Sequence, residues 1–389
     1  MSNIKAKIVS EEIKETIRVL SEEVGQRFAG TEGEWDGTEY IYQRLSELGV
    51  KTEKQVYPFV GWEPKGTPEL EILSPVSQVL KTAYLLFSGS TPNTGIKGKL
   101  TYHGVKGLIP GVYDMPCYNV LGVEGDILAQ VVVNSGGDPI ALLNPRAKFP
   151  IPAVVMSNED HLKIQKLLNE GQDVEVFVKV EGHIKTCKSA NIISHPYKTN
   201  NTTNRKKVII CAHSDTTLNT PGAYDNGSGV AGIIEIARKL NKNQYDFPFD
   251  IDVIAFSNEE VGFIGADYYV NNLKEMGKID EIAAVINLDQ ISAGDKIWSW
   301  VGPEDFRQKV EESFRESGAY DRNDFTVDVD TPKAGADEWM FHLEGIPTAL
   351  LMFWRLPDYH RPTDTIEKIE YDKVELIIET VFNLLNKIE

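Results

Sequence analysis

From Lys207 onward the chain alternates short apolar runs with stretches of helical periodicity, and this alternation restricts the fold more than any other feature. Residues 208–211, 251–256, 283–288 and 348–353 have the length of buried strands. Val230, Ile233, Ile234 and Ala237 place one apolar stripe on a helix, and 374–385 form a closing helix. The pattern predicts an α/β fold, a three-layer sandwich around a mixed but mostly parallel sheet.

The rest of the chain has a different texture. Ile13, Ile17 and Leu20, and then Tyr42, Leu45 and Leu48, recur at helical spacing on either side of a loop at Arg27–Thr31. Between 69 and 181, short apolar runs at 100–102, 129–133, 154–156 and 174–180 alternate with Gly and Pro turns, with one helix expected over 159–168. That segment lacks clustered His, Asp and Glu and reads as an inserted β-rich domain. At 389 residues the chain is long for one core. The expected organisation is 1–68 as the first part of the main domain, 69–181 as the insertion and 182–389 as the remainder.

The net charge of −18 disfavours nucleic acid and anionic membrane as partners. No apolar stretch approaches the roughly 18 residues that span a bilayer. The charged start at 1–9 lacks the apolar stretch of a signal peptide, so the expected location is cytoplasmic. Cys117, Cys187 and Cys211 have no metal-type spacing, and no disulfide framework is expected. The sequon at Asn201 is read as a polar loop.

Against this frame the placement of a few polar residues carries information. His213, the pair Glu259 and Glu260, and Asp289 each follow an expected strand. In open α/β sheets the carboxyl ends of strands converge on the binding crevice. Asp225 lies in a glycine-rich loop before the Val230 helix, placed to bridge two cations, and His360 follows the fourth strand. Imidazole with carboxylate suits zinc, with cobalt or manganese as substitutes. Two such ions activate a water and polarise a carbonyl, which requires one bridging carboxylate and another held off the metal as base. Neighbouring Glu259 and Glu260 can divide these roles, because successive side chains leave an extended backbone in different directions.

These residues stand in stretches that resemble the di-zinc aminopeptidases of the MH clan, the group of aminopeptidase S and aminopeptidase Y. The stretches are His213-Ser214-Asp215, the loop 222–229, Glu259-Glu260, Asn287-Leu288-Asp289 and 360–365. The 27–31 loop resembles the family's N-terminal segment, and 69–181 resembles its inserted protease-associated domain. The resemblance implies that Asp225 bridges two zinc ions, Glu260 and His360 complete one site, and His213 and Asp289 complete the other. It implies Glu259 as the general base and Asp215 as the residue orienting His213. Asp337 falls where the family often has Ser-Asp and takes a supporting role, although an acidic loop also explains it. Two departures concern the substrate pocket. Gln290 replaces a common Met, and 331–334 lack a Tyr found in some members.

The expected reaction is hydrolysis of the N-terminal peptide bond of a peptide substrate. The alternatives are a carboxypeptidase or other amide hydrolase of the same clan, a glutaminyl-cyclase-like acyltransferase, and a non-catalytic protein that keeps the fold. A carboxypeptidase requires arginines to clamp a carboxylate, and Arg355 and Arg361 flank His360.

Overall fold

A run of residues that is apolar at every position is stable as a strand only when both faces are covered. The strand Lys207–His213 satisfies this condition in the computed structural model, which describes residues 11–109, 113–143, 151–200, 206–354 and 356–389. Its side chains alternate between two cores. Val208, Ile210 and Ala212 join one apolar cluster, and Ile209 and Cys211 join another. The neighbouring strand Asp250–Phe256 divides in the same way, with Ile251, Val253 and Ala255 on one face and Ile254 and Phe256 on the other. The charged start at 1–9, the sequon at Asn201 and Arg355 lie outside the described residues.

The sheet runs in the order Thr52–Pro64, Gly182–Tyr197, Asp250–Phe256, Lys207–His213, Ile282–Leu288, Thr348–Leu351, Lys296–Gly302 and Thr326–Asp330. The four strands from Asp250–Phe256 to Thr348–Leu351 are mutually parallel. Lys296–Gly302 runs antiparallel to Thr348–Leu351, and Gly182–Tyr197 antiparallel to Asp250–Phe256, so the sheet is mixed. Helices Glu11–Arg18, Ser228–Lys242, Glu304–Glu316 and Tyr371–Leu385 contribute to the first core. Ile264–Glu275 and Glu338–His342 contribute to the second, which completes the three layers.

One expected strand is interrupted. The run 348–353 breaks after Leu351, because the Met352 carbonyl accepts from Trp298 N at 3.0 Å and Phe353–Trp354 pairs antiparallel with Lys296–Ile297. Apolarity alone cannot distinguish a strand that continues from one that changes partner. The strands Lys296–Gly302 and Thr326–Asp330 were not expected. The second carries alternating acids and is partly exposed, as an edge strand is.

The chain divides into two compact units, Met1–Phe59 with Lys188–Glu389, and Val60–Cys187. The second unit is built on its own nine-stranded sheet. Its core includes Leu100, Tyr118, Val131, Val154 and Val176. Its helix Asn158–Asn169 is capped by Ser157, whose hydroxyl accepts from Asp160 N at 3.0 Å. Among the described residues, no helix is long and apolar enough to cross a membrane.

Candidate metal centre

The central parallel strands end at one edge of the sheet, and their ends carry the polar residues. His213 is the last residue of its strand, Asp289 is the first after Ile282–Leu288, and Glu259 and Glu260 lie in the turn after Asp250–Phe256. Asp225 lies in the turn that leads into helix Ser228–Lys242, and His360 lies in the loop after Phe353–Trp354.

These side chains form two donor groups with one member in common. His213, Asp225 and Asp289 offer ligand atoms that all lie within 4.8 Å of one another, and so do Asp225, Glu260 and His360. His213 Nε2 lies 3.1 Å from Asp225 Oδ1 and 3.2 Å from Asp289 Oδ1. His360 Nε2 lies 3.3 Å from Asp225 Oδ2 and 3.0 Å from Glu260 Oε2. The two oxygens of Asp225 therefore face different imidazoles. Around a tetrahedral zinc with bonds of about 2.0–2.2 Å, neighbouring ligand atoms sit about 3.3–3.5 Å apart. The observed 3.0–3.3 Å lie at and just below that spacing, and the nitrogen–oxygen donor chemistry suits such an ion in each group.

The backbone that carries these donors is held by other buried carboxylates. Asp215 accepts from the backbone N–H of Glu259 at 3.0 Å and of Glu260 at 3.1 Å. Asp364 accepts from Tyr224 N at 2.7 Å and Asp225 N at 3.1 Å. Asp215 meets His213 through its main-chain carbonyl, 3.2 Å from Nδ1, whereas its carboxylate Oδ1 is 3.7 Å away. A proton on Nδ1 donated to that carbonyl leaves Nε2 with its lone pair toward the donor group. Asn226 closes the loop onto the neighbouring strand. Its Oδ1 accepts from Gly229 N and Gln290 N, and its Nδ2 donates to the Leu288 carbonyl. Asn258, Gln290 and His360 adopt left-handed backbone conformations, which for such residues cost about 1–3 kcal/mol each and persist only where the surroundings enforce them.

The Arg27–Thr31 loop braces this arrangement from the opposite end of the sequence. The Arg27 guanidinium, 1% exposed, donates to the carbonyls of Ser214, Leu20, Gly25, Pro221 and Gly222. It thereby ties the N-terminal segment to the loops carrying His213 and Asp225. Gly222 is required where Arg27 meets the loop. Its φ is +67°, and a Cβ there would lie 2.3 Å from Thr216 Cγ2 and 2.5 Å from the Asp225 carbonyl.

The charges explain why the cluster calls for cations. Burial raises Glu259 well above the usual carboxylate range, and burial also raises Glu260 and Asp289. Asp364 is pushed up to about 7 and Glu338 to about 8, both mainly by burial. His360 reaches about 10: burial opposes its charge, but Glu260 and Asp225 outweigh burial. Burial likewise lowers His213, but Asp289 and the other surrounding carboxylates leave it well above the ordinary imidazole value. Without metal, both imidazoles thus take up protons in place of cations.

The structure bears on two residues for which the sequence leaves two readings open. Asp337 does not sit in an exposed acidic loop but is fully buried, and neither carboxylate oxygen has a hydrogen-bond partner among the described residues. Burial holds it well above its normal range, with His213, Asp215, Glu338 and Asp289 as its charged neighbours. Arg361 directs its Nε at the Pro357 carbonyl, 3.0 Å away.

Glu34 was missed. Its carboxylate accepts from Gly30 N at 2.5 Å, from Asn258 Nδ2 at 2.7 Å and from the Ser189 hydroxyl, joining the N-terminal loop to the turn before Glu259. The signal was the Thr31-x-x-Glu34 spacing of a helix capping box. Thr31 does cap the helix Glu32–Ser46, but Glu34 turns to these other partners. Burial raises Glu34 from 4.5 to about 7. A carboxyl raised in the folded state contributes stability fully below about pH 4.5 and loses it as pH rises through about 7. Glu34→Gln cannot titrate. Relative to the parent it should gain about 3 kcal/mol between pH 4.5 and 7, on top of a constant loss from altered hydrogen bonds. Urea unfolding of the metal-free proteins across that range checks this, and a pH-independent difference would contradict it.

Residues 191–385, half of the chain, match the family model described as peptidase family M28. Aminopeptidase YwaD of Bacillus subtilis (strain 168) is 26% identical over 403 residues, covering 96% of this chain and 84% of the relative. The solved structure of an aminopeptidase from Aneurinibacillus sp. strain AM-1 superposes with a TM-score of 0.75 at 23% identity, covering 97% of this chain and 93% of that one. BSAP, a zinc aminopeptidase from Bacillus subtilis, gives a TM-score of 0.71 at 23% identity, covering 97% and 94%. These structures share the three-layer fold, and the match across the segment bearing every donor residue shows that the chain belongs to peptidase family M28.

Proposed function

We propose that the protein is a two-metal aminopeptidase that releases the N-terminal residue of peptides, with zinc as its metal. The observation that carries this reading is Asp225, whose two carboxylate oxygens face two separate imidazole-carboxylate pairs. The donor chemistry and the zinc aminopeptidase among the structural relatives favour zinc. Aminopeptidases among the relatives favour cleavage at a free N-terminus. Divalent ions held there supply Lewis-acid polarisation of a carbonyl and a lowered pKa for water.

The remaining chemistry belongs to the chain. Glu259 lies outside both donor groups, is 9% exposed, and is fixed beside Glu260 by the Asp215 carboxylate. It takes the proton from the attacking water and returns it to the leaving amine. Burial raises its proton affinity, which favours its taking a proton from water. Asp215 keeps the base and its metal-ligating neighbour in register. The unit Val60–Cys187 reads as a protease-associated-like insertion, and among the described residues both donor groups draw only on residues from His213 to His360. No specific observation favours a carboxypeptidase: the Nε of Arg361 is directed at its own loop, and Arg355 is not among the described residues.

A panel of aminoacyl peptides and their N-blocked counterparts, assayed with zinc, cobalt and manganese, tests the reaction. Peptides with free N-termini should be cleaved, N-blocked ones should not, and chelation should abolish cleavage until metal is restored. Release of C-terminal residues from N-blocked peptides would overturn the assignment. The division of labour at the glutamates is tested separately. Glu259→Gln should lower kcat roughly 100- to 10,000-fold at normal metal content. Glu260→Gln should lower metal affinity, because an amide is a poorer zinc ligand than a carboxylate. Metal loss in Glu259→Gln with retention in Glu260→Gln would exchange the two roles.

A further inference from the structure

Gln290 follows the donor Asp289 and is 5% exposed. Its main chain is fixed on both sides: its N–H donates to Asn226 Oδ1 at 3.1 Å, and its carbonyl accepts from Phe353 N at 3.1 Å. Its φ of 54° puts it in the left-handed region, where these flanking bonds hold it. The side-chain Nε2 donates to Asp225 Oδ2 at 3.3 Å. Chemistry fixes this orientation of the amide, because an ionised carboxylate only accepts hydrogen bonds and must face the NH2 group. The amide oxygen Oε1 is therefore directed away from Asp225. It is buried and has no hydrogen-bond partner among the described residues.

A buried amide oxygen in a fixed position persists where something outside the chain satisfies it. Because Oε1 only accepts, its partner must be a donor. In an aminopeptidase the scissile carbonyl lies at the donor groups and the α-amino group is two bonds from it, so the donor that a substrate brings beside Asp225 is that amine. Oε1 is not needed for the bond that Nε2 makes to Asp225, so the side chain offers a polar contact beyond that one.

We propose that Gln290 is a substrate-binding residue: Oε1 accepts a hydrogen bond from the protonated α-amino group of the peptide, while Nε2 holds the outer oxygen of Asp225. The inference rests on the aminopeptidase reading and deepens it by assigning the group that recognises the free N-terminus. One amide then links recognition of the substrate's amine to the carboxylate shared by both donor groups.

Calorimetric titration of the zinc-loaded full chain tests this with leucine hydroxamate and its des-amino counterpart, 4-methylpentanoyl hydroxamate. Gln290→Met should weaken leucine hydroxamate roughly 10- to 100-fold, the range for a hydrogen bond to a charged group, and leave the des-amino compound unchanged. Gln290→Glu keeps an acceptor and should retain the preference for the amino compound. Zinc content measured on each variant shows that the centre is intact. Equal weakening of both compounds by Gln290→Met, or weakening of neither, overturns the proposal. So does a loss confined to hydroxamates with a hydroxyl or amide side chain, which would assign Oε1 to the substrate's side chain. A parent enzyme that cleaves no peptide with a free N-terminus would refute the aminopeptidase reading itself, whereas the paired titration still reports on Gln290.

Discussion

The structure depends on gathering carboxylates in one buried place. Asp215, Asp225, Glu259, Glu260, Asp289, Asp337 and Asp364 are all buried at or beside the strand ends. Opposite them stand the His213 and His360 imidazoles and the guanidinium of Arg27. Unpaired buried charge is costly, and removing one partner of a buried ion pair costs about 3–5 kcal/mol. Such a cluster is stable only if the groups take up protons or cations, and the raised proton affinities of both imidazoles and of several carboxyls show how it copes without metal. A site poised in this way would bind divalent ions in exchange for protons.

The same chemistry serves a second purpose. Asp215 and Asp364 do not contribute to the donor groups, yet each accepts from two successive backbone N–H groups of a donor segment. Backbone amides would otherwise lie unsatisfied in tight loops, and a carboxylate that accepts two of them fixes the loop in one geometry. Arg27 complements this by donating to carbonyls of three separate segments. The donors are thus held by a lattice of buried charge-assisted hydrogen bonds and not by the sheet alone, which keeps left-handed residues such as His360 in place.

Much of this was legible in the sequence. The continuously buried strands at 208–211 and 251–256, and the position of His213 and Asp289 at strand ends, follow from local pattern alone. What pattern could not supply was long-range partnership. Glu34 stands at a capping-box spacing from Thr31, and its partnership appears only once Asn258, 224 positions away, is folded against it. Asp364 lies inside a recognised stretch, but its bonds to Tyr224 and Asp225 cross 140 and 139 positions. Asp337 was ambiguous because burial, which decides whether an acid is solvated or functional, is a tertiary property. The strand Thr326–Asp330 was missed because an edge strand with alternating acids resembles a loop.

The central claim is that Asp225 is shared by two metal sites. Anomalous diffraction on either side of the zinc absorption edge, from crystals of the zinc-loaded protein, tests it most directly. The account predicts two peaks about 3.5–4 Å apart, one on each oxygen of Asp225, with His213 and Asp289 completing one site and Glu260 and His360 the other. A single peak in the fully loaded protein, or a peak held by residues outside these five, would contradict it.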